Sequence, residues 1–299
     1  MITQVNISEG RDKLFFNFIS YFVVGIIAIL CVLPFLFVLS GSFTLEQSIH
    51  LYGYSLWPKE FSLNAYKVIF RIPQMVTKAY GVTILVTVTG TLTGLFMCSM
   101  TAYALQRPYF KYRNAFAMYF YFTTLFNGGL VPWYILMIKY LKLKNNLLSL
   151  IIPSLLGVFY IIIMRSFMSS VPDSLGESAK IDGAGEFKIF AQIYMPLSKP
   201  ALASIGLFYA LGYWNNWSNA MLFITDTDLY PLQFFLYNML MSMQPATEMA
   251  RSSGMIITSP PAESFKLAMT IVATGPIVLL YPFAQKYFIT GITIGAVKG

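Results

Sequence analysis

Charge is the scarcest commodity in this chain. Only 11% of its 299 residues are charged, against 57% that are hydrophobic, and the mean hydropathy is +0.65. Soluble domains carry roughly 25% charged residues, so this composition cannot furnish an ordinary water-facing surface. Histidine is almost missing: His50 is the only one. Together with two widely separated cysteines, it leaves no zinc-type ligand set. Those cysteines, Cys31 and Cys98, each lie inside an apolar stretch. There a thiol acts as a small buried side chain rather than as half of a disulfide. The sequence has no Gly-x-x-x-x-Gly-Lys-Ser/Thr phosphate loop. Its nearest stretch, Gly183 to Lys188, lacks the second glycine before the lysine and the hydroxyl after it. No long basic run accompanies the net charge of +8, which excludes an evident nucleic-acid site. The charge fits anionic lipid headgroups and basic inner loops instead. The N-terminus is not expected to be a cleavable signal. Arg11 and Lys13 precede an apolar run, Phe15 to Leu39, too long for a signal core.

What is abundant is apolar length. A helix crossing the bilayer core needs ~20 mostly apolar residues, and six stretches qualify: 15–39, 78–105, 115–138, 149–168, 200–224 and 264–289. Backbone groups in lipid must pair within their own segment, and the alternation of barrel strands is absent. The expected fold is therefore all-α, a polytopic membrane protein with six transmembrane helices. Arg11 and Lys13 before the first span place the N-terminus inside, and six spans then place the C-terminus inside too. Arg107, Lys111 and Arg113, like Lys180, Lys188 and Lys199, fall on inner loops, whereas Lys139, Lys142 and Lys144 fall on an outer one. The resulting division is an inner N-terminal segment 1–14, a membrane domain 15–290 with an inner loop 169–199, and an inner tail 291–299.

Four segments stand out from this frame. The outer segments 40–77 and 225–263 are long; the first carries Tyr52, Tyr54, Trp57, Pro58, Phe61 and Tyr66. They are surface loops with interfacial aromatics, or a docking surface for an outside partner. In the third span, Asn127-Gly128-Gly129-Leu130-Val131-Pro132 predicts a break or kink. The fifth span carries Tyr213, Trp214, Asn215, Asn216 and Trp217. Aromatic faces beside amides suit a sugar, but such residues also pair helices and mark interfaces.

The inner loop is the most informative stretch. Pro172 and Asp173-Ser174 offer a helix start, and a short helix is expected from about Ser174 to Ile181. Gly183 and Gly185 allow a sharp turn. Asp182 is placed to cap a second helix containing Phe187, Phe190 and Ile193, which Pro196 and Pro200 close. Two short helices joined by a tight turn on the inner membrane face are the expected result.

This loop resembles the cytoplasmic loop of bacterial ATP-binding-cassette importer permeases, whose pattern is Glu-Ala-Ala, a following Gly, then Ile-x-Leu-Pro. Here it reads Glu177-Ser178-Ala179, Asp182-Gly183-Ala184 and Ile193-Tyr194-Met195-Pro196; Ser178 and Met195 are the departures. The layout, the Asn127 to Pro132 stretch, Met164-Arg165-Ser166-Phe167 and the tail Gly295 to Gly299 resemble the maltose-type sugar permeases, in the branch associated with complex oligosaccharides. The resemblance covers essentially the whole chain. It implies a type I importer permease (MetI-like) fold in the bacterial cytoplasmic membrane. The implied partners are a second permease, two ATP-binding subunits inside and a solute-binding protein outside. ATP and Mg would sit on the ATPase subunits, with no cofactor on this chain. Glu177, Ser178, Ala179, Asp182, Gly183 and Ala184 would belong to the element that couples to the ATPase. For Glu177 and Asp182, ionic contact with the ATPase and pairing within the loop both stand open. Val297, Lys298 and Gly299 would reach the same interface, and Tyr213 to Trp217 form a candidate substrate path.

Three other readings remain in view. Fold and loop are shared with importers of amino acids or peptides, so only the branch resemblance favours carbohydrate. A stand-alone secondary transporter would show internal repeats and intramembrane ionisable groups; Arg165 is the main candidate for one. A membrane enzyme would need clustered acids, histidines or a Ser/Lys arrangement, and the spans are poor in all three.

Overall fold

The computed structural model describes residues 11–252, 262–278 and 282. Among them the secondary structure is helical, apart from one antiparallel bridge between Thr44 and Phe61. In chain order the helices are α1 (Arg11–Ser42), α2 (Glu46–Tyr52), α3 (Asn64–Ile69), α4 (Pro73–Gln106), α5 (Arg113–Leu125), α6 (Leu130–Ile135) and α7 (Leu148–Ile151). There follow α8 (Val158–Met168), α9 (Asp173–Ile181), α10 (Glu186–Ile189), α11 (Met195–Leu197), α12 (Lys199–Trp214), α13 (Trp217–Phe223), α14 (Leu232–Ser252) and α15 (Ala262–Val278).

Two described helices are long and apolar enough to cross a membrane: Phe15–Ser42 within α1, and α4. A third span arises if Leu148–Ser154 and α8, bent by 51° at the break between them, are taken as one. The spans expected at 115–138, 149–168 and 200–224 are each divided, the first at the break its Asn127 to Pro132 stretch predicts, the other two where no break is expected. The first breaks at Phe126–Gly129, where Gly129 has φ +86 and its N–H bonds the Asn127 side chain at 2.8 Å. The second bends after Pro153, ahead of Gly157. The third breaks at Asn215 and Asn216, where the Asn216 side chain caps α13 by accepting from the Asn219 N–H. Proline removes a backbone donor, and asparagine offers the backbone an alternative partner; both interrupt a ladder that hydrophobicity alone would continue. The last expected span, 264–289, is helical as far as Val278, and the rest, Pro282 apart, lies outside the described residues.

The chain divides into two compact units. One joins the residues up to Arg71 with Met243–Val272; the other holds Ile72–Ser242 and the chain from Ala273 on. In the first unit, α1 exposes its apolar side chains along its length, as a helix facing lipid or another subunit does. After it the outer segment is ordered by Phe43, which stacks on Phe61 and Tyr66. In the second unit α4 is the central post, packed against α12 and α8. Its glycines make that packing close. A Cβ on Gly90 would lie 2.6 Å from the Tyr213 ring, and one on Gly94 would lie 3.0 Å from the Tyr209 ring. Both tyrosines are buried, and a buried hydroxyl needs a partner. They donate to Leu155 O (Tyr209, 2.9 Å) and Ile151 O (Tyr213, 3.0 Å), the carbonyls around the bend that precedes α8. The α4 threonines at 77, 89, 93 and 101 bond carbonyls of their own helix, which is how hydroxyls are tolerated in a span.

Candidate functional site

The loop between α8 and α12 folds as two short helices across a tight turn. Pro172 precedes α9, with no side-chain cap. Asp182 closes α9 rather than opening the next helix, which corrects its expected capping role. Its backbone N–H bonds Ser178 O, and Gly185 takes the N-cap position of α10. The chain turns at Gly183, whose φ is +79, a conformation that costs little only for glycine. The next residue returns the chain to α9, since Ala184 N–H bonds Ala179 O at 2.9 Å. Beyond α10 the helix widens into a π-turn, Phe190–Tyr194, ending two residues ahead of Pro196.

The six residues singled out by sequence separate into two sets. Glu177, Ser178, Asp182 and Gly183 are exposed, and the carboxylates of Glu177 and Asp182 make no hydrogen bond or ion pair among the described residues. Ala179 and Ala184 are half-buried and pack against the core cluster. Beside the exposed acids stand bare apolar side chains, Leu175, Phe187 at 63% exposure and Ile181 at 87%. The tips of the two helices therefore offer acids and apolar groups to another body, while their alanine side is held to this chain.

That hold centres on a residue the sequence reading treated only as an inner-loop charge. Arg107 directly follows α4 and is 7% exposed. Its Nη2 donates to Tyr103 Oη at 2.7 Å and its Nη1 to Tyr194 Oη at 3.1 Å. The guanidinium also lies over both rings, 4.7 and 4.8 Å from their centroids, where cation–π attraction adds to the bonds. Glu186, first residue of α10, accepts from Tyr103 Oη at 2.6 Å and is paired with Lys180. Its Oε2 is 3.4 Å from Arg107 Nε, near enough for charge attraction but off the line for a hydrogen bond, so that Nε remains a buried donor without one. A Cβ on Gly176 of α9 would lie 3.0 Å from Arg107 Nη1. Burial pushes the Glu186 carboxyl up, but the bonds from Lys180 and Tyr103 and the Arg107 charge outweigh it, leaving it below the usual carboxylate range.

No model of a known protein family matches the chain. Its relatives are informative. It is 38% identical to Protein LplC of Bacillus subtilis (strain 168), over 99% of this chain and 98% of that one. It is equally 38% identical to the polygalacturonan/rhamnogalacturonan transport system permease protein YtcP of the same organism, over 96% and 98%. A solved bacterial ABC transporter involved in import of the acidic polysaccharide alginate contains a chain that superposes with TM-score 0.78. The two are 28% identical, and the match covers 95% of this chain and 100% of that one. The chain belongs to the sugar ABC importer permeases. As a permease of that family it is a transport protein of the membrane, and the amino-acid, peptide and secondary-transporter readings are set aside.

The permease's candidate substrate path is only partly open. Tyr213 and Trp214 are buried, with the Trp214 Nε1–H bonded to Ala273 O at 2.8 Å. Asn216 is engaged as the cap of α13. Asn215 and Trp217 are exposed; Asn215 accepts from Gln233 Nε2 at 3.3 Å, and Trp217 packs on Tyr237 with centroids 4.9 Å apart. A cavity of about 680 Å³ opens at the helix break, lined by Asn127, Gly128, Gly129, Trp133 and Pro153 among others. Val297, Lys298 and Gly299 lie outside the described residues. Arg107, Tyr103, Tyr194 and Glu186 were missed as a group. The one signal available in sequence was an arginine abutting the end of a long apolar run.

Proposed function

We propose that this permease forms half of a translocation pathway for an oligosaccharide with acidic units. It pairs with a second permease in the bacterial inner membrane, crosses it six times, and keeps both termini in the cytoplasm. Two ATP-binding subunits, which carry ATP and Mg, seat the loop 173–196 and the tail Val297 to Gly299 from inside, and a solute-binding protein delivers the sugar from outside. Closure of the ATPases moves the two short helices as a body and shifts the permease between inward- and outward-open states. Such a shift requires only that nucleotide binding favour one state over the other.

The observation that carries this reading is the exposed tip of α9 and α10, with free acids at Glu177 and Asp182 and bare apolar groups at Ile181 and Phe187. Acidic cargo is supported by the two matches named for polygalacturonan/rhamnogalacturonan and for alginate. The test is affinity purification of the chain from its native membrane in mild detergent, with mass spectrometry of what remains bound. The co-purifying binding protein is then titrated with oligogalacturonides and with neutral arabino-oligosaccharides. Recovery of a second permease and an ATPase, and tighter binding of oligogalacturonides, is the expected result. Recovery of the chain alone from transport-active membranes would overturn the assembly, and a preference for the neutral sugars would overturn the acidic cargo.

A further inference from the structure

We infer that Arg107 is the positioning residue through which the coupling loop moves α4. This rests on the reading of 173–196 as the coupling loop and goes one step further inward. Arg107 is the side chain at which the loop's separate pieces meet. It faces Gly176 of α9, pairs in charge with Glu186 of α10, and bonds Tyr194 of the π-turn. Its backbone continues α4, whose Tyr103 closes the ring by bonding both Arg107 and Glu186. α4 then meets α12 through close-fitting contacts, Gly90 on Tyr213 and Gly94 on Tyr209. A push on the exposed tips therefore has a continuous route, from α10 through Glu186 and Arg107 to α4 and from α4 to α12.

The chemistry of the residue fits a transmitter better than a filler. A guanidinium offers five donors in a planar fork and stacks on aromatic faces, which an ammonium does not match. A buried cation stays buried only with partners, so the loop cannot drift from α4 without stranding it. A Cβ at 176 would press on the fork at 3.0 Å, so that the guanidinium would have to give way by a few tenths of an ångström. The unbonded Nε, 3.4 Å from Glu186 Oε2, gives the pair a second arrangement to move into, with the carboxylate drawn squarely onto the fork as α10 shifts.

The test uses the assembled transporter, with partner permease and ATPases, in proteoliposomes. Access to the pathway is read at a reporter cysteine, Asn215→Cys in a Cys31→Ser background that keeps the buried Cys98, by the rate of labelling with an impermeant maleimide relative to the same background without Asn215→Cys. Rates are compared without nucleotide and after trapping with MgATP and vanadate, so no sugar need be known. Glu186→Gln and Tyr194→Phe each remove one strand of the connection and leave the buried arginine its other partners. Each is expected to reduce the nucleotide-dependent change in labelling at least fivefold, the lower end of usual coupling energies, in transporters assembled at parental yield. The Glu186→Gln and Tyr194→Phe double variant should lose no more than the stronger single, because both act on one residue. An unchanged nucleotide response in both single variants would overturn the inference, as would additive losses that follow falling assembly. Glu177→Arg, on the exposed face of α9, is run beside them. If it abolishes the response while the other two do not, Arg107 is not the transmitter and the coupling-loop reading stands. If none of the three changes the response, both fall.

Discussion

The carboxylate of Glu46 caps a helix that begins more than two hundred residues later, accepting the N–H of Ser264 at 2.9 Å and its hydroxyl at 2.8 Å. It also takes the N–H of Glu263 at 2.9 Å, and His50 Nε2 stands 3.3 Å away. The first N–H groups of a helix have no partner of their own and carry its positive end, so an acid there serves as both acceptor and counter-charge. Glu46→Ala would take the acceptor from three donors, the N–H groups of Glu263 and Ser264 and the Ser264 hydroxyl. A loss of about 1–3 kcal/mol is expected, read as a lower melting temperature of the detergent-solubilised transporter. Glu46→Gln, which keeps an acceptor but not the charge, should lose less. Equal melting of Glu46→Ala and the parent would show that this cap contributes nothing.

The close fit of α4 on α12 makes a second prediction. Alanine at Gly90 would set its Cβ 2.6 Å from a Tyr213 ring whose hydroxyl is already committed to Ile151 O. Overpacking of this kind costs about 1–3 kcal/mol, which should appear as reduced membrane accumulation and a lower melting temperature. Tyr213→Phe alone should cost about 1 kcal/mol for the orphaned carbonyl. Gly90→Ala with Tyr213→Leu, which removes the ring the new methyl meets, should recover part of the Gly90→Ala loss. Two losses that simply add would place the damage elsewhere.

How much of this was legible in the sequence depends on how local the cause is. The turn at Gly183 and the break at Asn127-Gly128-Gly129 announce themselves by residues that change the backbone where they stand. The bend ahead of Gly157 and the break at Asn215-Asn216 lie inside stretches apolar enough overall to read as single spans, because hydropathy reports burial and not ladder continuity. Asp182 shows the limit even within a loop. An acid between two short helices can end the first or begin the second, and backbone geometry chose the end. Arg107 and Tyr194 meet across 87 positions of sequence, and no spacing rule brings them together. Tyr213 and Trp214 look like sugar-facing residues by type, yet burial and partners commit them to packing.

Gly183→Pro should stop transport without stopping insertion. Proline fixes φ near −65° and has no N–H, whereas this position has φ +79 and donates to Lys180 O at 3.0 Å. The turn between α9 and α10 cannot then close, while the spans are untouched. Gly183→Asn, which tolerates the left-handed region, should retain most of the transport and Gly183→Val little. Uptake of an oligogalacturonide pool and the amount of chain in membranes, measured together, decide it. Wild-type uptake by Gly183→Pro would show that the turn is not part of the coupling element.

The charge network of the loop predicts its response to acid. Glu186 is held below the usual carboxylate range in the folded protein, so the folded state binds its proton more weakly than the unfolded chain does. Its stabilisation is therefore complete above the ordinary glutamate value of about 4.3 and is lost as the pH falls through the lowered folded value. Half of the Glu186 side chain is exposed, so the effect is local loosening rather than global unfolding. Amide exchange across 173–196 should quicken on acidification below about pH 4, once the intrinsic pH dependence of exchange is corrected for, and less so in α12. In Glu186→Gln the exchange should already be faster at pH 7 and should lose that acid-dependent step. A step that persists in Glu186→Gln would show that another group carries it and remove Glu186 from the account of how the loop is held.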